Sequence, residues 1–145
     1  MEENIKSDIN SQAVQSHLSI TQSVIQRMAT NSSSCKAWCI TVVSAILVIV
    51  ADKGKSQYAY IAIIPNFLFL VLDTYYLALE KMFRNSYNDF IKKLHENKID
   101  SSDLFAVIPK GNWLKTFFKS IISFSVLPFY LTLLIMILLA KEIIL

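Results

Sequence analysis

The stretch that decides the fold is residues 56–84, SQYAYIAIIPNFLFLVLDTYYLALEKMFR. From Ser56 to Leu79 its single charge is Asp73. A bilayer core of roughly 30 Å needs about 20 helical residues, so this run spans one comfortably. An aspartate facing hydrocarbon is costly, which makes its surroundings the first question. Positions 59, 66, 73, 80 and 87 recur every seven residues and share one helical face. They are Ala59, Asn66, Asp73, Glu80 and Tyr87, one small residue and four polar ones. Lipid should not see that face. The expected intramembrane polar set is Asn66, Asp73, Tyr76, Glu80 and Arg84, with Asp73 roughly 10 Å above Glu80 and so in the inner part of the bilayer.

Two other runs are uncharged, residues 37–51 (AWCITVVSAILVIVA) and 120–140 (SIISFSVLPFYLTLLIMILLA). With 54% hydrophobic residues, 17% charged and two glycines in 145 positions, the chain is neither disordered nor collagenous. Three such runs leave too little polar surface to cover them in a soluble domain. The expectation is an all-α integral membrane protein with spans at about 35–51, 57–79 and 117–140. Residues 1–35 would be a cytoplasmic amphipathic segment, and 36–145 the transmembrane domain with a cytoplasmic helix-loop at 80–116. The first apolar run begins late and lacks a small-residue cleavage site, so it is expected to stay as an anchor.

Charge sets the orientation. Lys53 and Lys55 lie in the first link and Lys141 in the tail, against eleven Lys and Arg on the other side. That asymmetry places the N-terminus and the long middle loop in the cytoplasm and the C-terminus outside, in the periplasm if the membrane is a bacterial inner one. Trp38 and Trp113 at the inner ends, and Tyr58 and Tyr60 at the outer end, suit the aromatic belts.

Before the first span, Val14, Leu18, Ile25 and Met28 form an apolar stripe completed by Thr21. Its flanks are polar rather than basic, so it is expected to pack on another helix, either the extension of span two or a neighbouring subunit. NSSS at 31–34 is expected to break that helix and cap the next. No glycine or proline occurs between Asn66 and Pro109, and an apolar face continues to Leu94, so span two should protrude as a helix that far. DLFAVI, residues 103–108, is expected to form a helical turn at the membrane surface.

Lys36 and Lys119 are the candidate counter-charges for Asp73, which either pairs as structural glue or lines a hydrated path. Glu80 and Arg84, four apart with the acid first, should form a surface ion pair. Cys35 and Cys39 share a helical face, but His17 and His95 are distant in sequence, so no metal site and no cofactor are expected. A phosphate loop, a serine elbow and a catalytic histidine partner are missing, so an enzyme is not expected, and neither is nucleic-acid binding.

NSSSCKAW (31–38), IIPNF (63–67) and LDTYYLALEKMFR (72–84) together resemble a family of small bacterial membrane proteins, through RM-x-x-NS, K-x-W, LD-x-YYL and E-x-x-FR in that order. The resemblance covers residues 20–94 or so. It implies association with antiphage defence, including nucleotide-second-messenger systems whose compact transmembrane effectors disrupt membranes. The expectation is an inner-membrane effector that forms homo-oligomers through the cytoplasmic helices and the polar face of span two, gated by a cytoplasmic partner or sensor since no nucleotide-sensing domain is recognisable. The alternatives are a passive anchor or assembly subunit recruiting a cytoplasmic protein, and a small transporter built on Pro65 and Asn66.

Overall fold

The structure, a computed structural model, describes residues 11–143. Lys6 and the first ten residues of the expected cytoplasmic segment lie outside the described residues. All regular structure among the described residues is helical: α1 (Gln12–Lys53), a 3-10 helix (Ser56–Ala62), α2 (Ile63–His95), a 3-10 turn (Ser101–Asp103), α3 (Trp113–Ile121) and α4 (Leu127–Ile143).

α1 begins where the Ser11 hydroxyl accepts the Val14 N–H, and ends where Gly54, at φ 60°, turns the chain back with its N–H on the Ala51 carbonyl. Its 42 residues run unbroken through NSSS, contrary to the expected break. Serine costs only about half a kcal/mol against alanine inside a helix, whereas a break would leave end groups unsatisfied and disturb the pairing with α2 on both sides. Ile25, Ser32 and Cys39, seven apart and all buried, lie on one continuous stripe through the segment.

The link to α2 is tight because Pro65 shapes what precedes it. A proline ring crowds the carbonyl four residues back and biases its predecessor away from α geometry. Residues 56–62 wind as 3-10, and Pro65 sits in the first turn of α2, where its missing N–H is harmless. α2 then runs past the expected Leu94 to His95. Asn97 takes φ 53°, its N–H bonds Leu94 O at 3.2 Å and the Lys98 N–H bonds Lys93 O at 2.9 Å, which together close the helix with paired C-terminal bonds.

The segment after α2 is a strap rather than the expected helical turn. The turn forms earlier, over Ser101–Asp103, with Asp100 and Asp103 capping each other's backbone. Leu104 is already extended and Phe105 takes φ 61°. The strap returns along α2, held by Lys110 N–H to Met82 O at 3.2 Å, Asn85 Nδ2 to Lys110 O at 3.2 Å, and Ser86 Oγ to the Ile108 carbonyl.

The expected continuous helix over 117–140 is two helices with a break at 122–126. Pro128 explains it: a helix carried through from α3 would set the proline ring against the Phe124 carbonyl. α4 starts afresh at Leu127, so the proline falls in a first turn.

α1 and α2 pack antiparallel along their length and bury two apolar clusters. One joins Cys39, Val43 and Ala62 to Val126, Tyr130, Leu133 and Ile137 of the C-terminal part. The other lies at the far end, where Val14 meets Phe90 and Leu94. α1 and the composite Ser56–His95 are each long and apolar enough to cross a membrane. Only 22% and 28% of their most apolar windows are buried inside the chain. Trp38, Val48, Ile64 and Phe67 are each more than 60% exposed, so an apolar belt faces outward.

Candidate functional site

The polar face of α2 turns inward onto α1. Asp73 is completely buried. Its Oδ1 accepts the Ser32 hydroxyl, and its Oδ2 lies 2.6 Å from Lys36 Nζ. Ser32 and Lys36 are one helical turn apart, so a single face of α1 presents both groups to one carboxylate. Lys36 keeps 19% of its side chain exposed. Its stem crosses the seam while the ammonium stays close to a wetter edge. The Lys36–Asp73 contact is a close ion pair across the seam.

The polar thread continues deeper. Cys39 Sγ lies 3.8 Å from Asn66 Oδ1, Asn66 Nδ2 donates to Tyr130 O at 3.4 Å, and Tyr130 Oη donates to Phe69 O at 3.1 Å. Asn66 thereby ties α1, α2 and α4 at one level. Thr74 returns its hydroxyl to Leu70 O at 2.7 Å, satisfying itself within the helix. Cys35 and Cys39 are buried free thiols.

The remaining sequence candidates divide. Arg84, which is exposed, reaches the half-buried Glu80 through Nε to Oε1 at 2.8 Å across one helical turn. Tyr76 stands edge-on to Tyr75 at 5.4 Å and is half-buried. Lys119 is exposed on α3 and does not meet Asp73, so Lys36 is the counter-charge. The reason is the break at 122–126, which sets α3 apart from the seam that Lys119 would have entered on a continuous span. Val14 and Ile25 are buried, while Leu18 and Met28 are half-buried.

Sequence reasoning missed Ser32 as a ligand of the carboxylate. Its signal was available, because a lone serine interrupts the stripe Leu18, Ile25, Cys39 at heptad spacing. It also missed His17. Nδ1 of this ring accepts the Phe105 N–H at 2.9 Å, and the ring stacks on Phe90 with centroids 4.1 Å apart. His17 is thus a clip between α1 and the strap. Burial pulls its pKa below the usual histidine value, and Asp103 partly offsets that.

A cleft of about 180 Å³ opens beside His17, lined by Thr21, Asp89, Lys93, Asp103 and Lys110 among others. Lys93 pairs with Asp103 at 2.7 Å, and Lys110 pairs with Asp89. The hydrogen bonds from these lysines hold both carboxyls below the usual aspartate range. The cleft is electrically balanced, and its charges serve to fasten the strap. Among the described residues no three His, Cys, Asp or Glu side chains group as metal ligands would.

No protein-family model matches the chain, and neither the curated proteins nor the solved structures contain a match to it.

Proposed function

We propose that this chain is an effector in the bacterial inner membrane that works by perturbing the bilayer when triggered, with its N-terminus in the cytoplasm. The reading rests on one observation above the others: an ion pair, Lys36–Asp73, with the carboxylate fully buried, is held between two helices whose outer faces are apolar. Closed, the pair is neutral overall and shielded. Opened, each charge demands water, so separating α1 from α2 draws water into the inner part of the membrane, where Asp73 lies.

The third crossing belongs to α4. Its 17 residues reach roughly 25 Å, slightly less than a bilayer core, and the loop before it makes up the difference. It runs antiparallel to α2, since Tyr130 sits beside Asn66 and the Lys141 ammonium lies 5.5 Å from the centre of the Tyr60 ring. The polar groups of the seam meet one another inside one chain. The polar face of span two is therefore occupied by α1 of the same chain at Asp73 and Asn66, and the expected association of copies through that face does not follow from it.

A membrane-potential dye, read after induced expression, tests this. The wild type is expected to depolarise cells, while Asp73→Ala stays in the membrane fraction and does not. The paired variant Lys36→Met with Asp73→Leu keeps the seam packed without charge and is expected to be silent as well. Full depolarisation by that folded pair, or none by the wild type, would falsify the assignment.

A second reading, an anchor that recruits a cytoplasmic protein, is favoured by the packed end where Val14, His17 and the strap meet α2. It expects no depolarisation, and loss of recruitment when Val14 and Ile25 are replaced by serine.

A further inference from the structure

We propose that α3 lies in the plane of the membrane at its cytoplasmic surface, with Leu114, Phe118 and Ile122 set into lipid and Lys115 and Lys119, joined by Lys81, holding the phosphates of anionic phospholipids. The inference rests on the membrane reading above.

Length comes first. Nine helical residues cover about 14 Å, under half of a bilayer core, so α3 cannot be a crossing. Depth comes next. Trp113 at its start stacks edge-on with Tyr75 at 5.3 Å, and Ser120 near its end accepts from Lys81 Nζ at 3.0 Å. The two contacts lie six residues apart on α2, roughly 9 Å along its axis, and bracket the step from its apolar run to Glu80, Lys81 and Arg84, where charge returns to the sequence.

The faces of α3 then separate cleanly. Ser120 is fully buried and Trp113, Thr116 and Phe117 are half-buried. Leu114, Phe118 and Ile122, spaced by four, are 64%, 62% and 74% exposed, and Phe124 just beyond is 92% exposed. Such a row facing water would be unfavourable by its full apolar area. Lys115 and Lys119 are one residue further round the helix, both exposed, and neither meets an acidic partner among the described residues. An apolar ridge bordered by unpaired cations matches the boundary between acyl chains and negatively charged headgroups. Lys81, drawn to Ser120, adds a third positive charge at the same edge. Asn112 fixes the start of the helix by accepting the Lys115 N–H, and the break at 122–126 lets α4 leave α3 at an angle.

The full chain in detergent is titrated with phosphatidylglycerol or phosphatidylcholine, and bound lipid is counted by native mass spectrometry. Phosphatidylglycerol is expected to be retained in preference, with affinity falling roughly fivefold for each lysine removed in K115Q/K119Q. K115R/K119R is expected to keep the preference, and K92Q/K98Q to leave it unchanged. In nanodiscs, a nitroxide on F118C, with both native thiols buried, is expected to relax faster with oxygen than with a water-soluble nickel chelate. That depth measurement decides the matter should the glutamine pair not fold. Equal retention of both lipids, displacement by inorganic phosphate, or a nickel-accessible label would each overturn the inference while leaving α1 and α2 in the membrane. A chain released from membranes by alkaline carbonate would instead overturn the membrane reading beneath it.

Discussion

Asp73 illustrates how one side chain constrains two helices. Its charge is tolerable in an apolar seam because Lys36 and Ser32 meet it there. Removing Lys36 leaves Asp73 fully buried and uncompensated, whereas removing Asp73 leaves an ammonium that is partly exposed. Lys36→Ala is therefore expected to cost about 3–5 kcal/mol and Asp73→Ala less, while Lys36→Met with Asp73→Leu recovers most of the larger loss. Denaturant titration in micelles checks the ordering, and a double variant as unstable as the singles would sink the ion-pair account. His17 carries a second expectation. A histidine whose pKa is lowered in the folded chain binds fewer protons there than when unfolded, so its contribution is complete above about 6.5 and is lost as pH falls through the depressed folded value. Protonation removes the Nδ1 acceptor from the Phe105 N–H. Asp103 and Lys93, the charged groups beside the ring, keep their charges in that window, because the aspartate is held below its usual range and the lysine above. The protection factor of the Phe105 amide against hydrogen exchange should drop between pH 7.5 and 5.5, and a constant value would rule out the clip.

Among the elements, α1 most clearly overrides local preference. NSSS reads as a helix start from hydroxyl chemistry alone, yet Ser33 and Ser34 stand exposed in mid-helix and Ser32 points at Asp73. Ser33→Ala with Ser34→Ala is accordingly expected to stabilise the chain by about half a kcal/mol per site. Thermal unfolding in micelles distinguishes this from the capped-break reading, under which the same changes are destabilising. α2 was legible throughout, because its heptad polar face and its lack of glycine or proline after Pro65 point one way. The strap was not. Its course depends on Asn85, Ser86 and Asp89 of α2 meeting the Ile108 and Lys110 backbone and the Lys110 ammonium, contacts some twenty residues apart that leave no periodic trace.

For the molecule as a whole, two facts bear on its environment: a pair of helices long and apolar enough to cross a bilayer, and an apolar belt left largely uncovered by the fold. α1 at 42 residues is roughly 63 Å long, twice a bilayer core, so any crossing leaves more than half of it standing in water. The buried contact of Val14 with Phe90 and Leu94 gives that projecting part its partner. Maleimide labelling of single cysteines in intact cells is expected to find S102C protected from an impermeant reagent and K55C modified. The reverse pattern would invert the proposed topology.

Hydropathy and heptad spacing by themselves determined an all-helical chain with apolar runs suited to crossing a membrane, the inward face of Asn66 and Asp73, and Lys36 as a candidate partner. These are properties of single helices, and a helix repeats its faces at a fixed angle. Tertiary structure alone decided that α1 runs through its serines, that Lys119 stays away from Asp73, that the last apolar run divides at 122–126, and that His17 clips the strap. Each of those outcomes depends on which distant surface fills a gap or supplies a proton, and periodicity along one helix does not encode that choice.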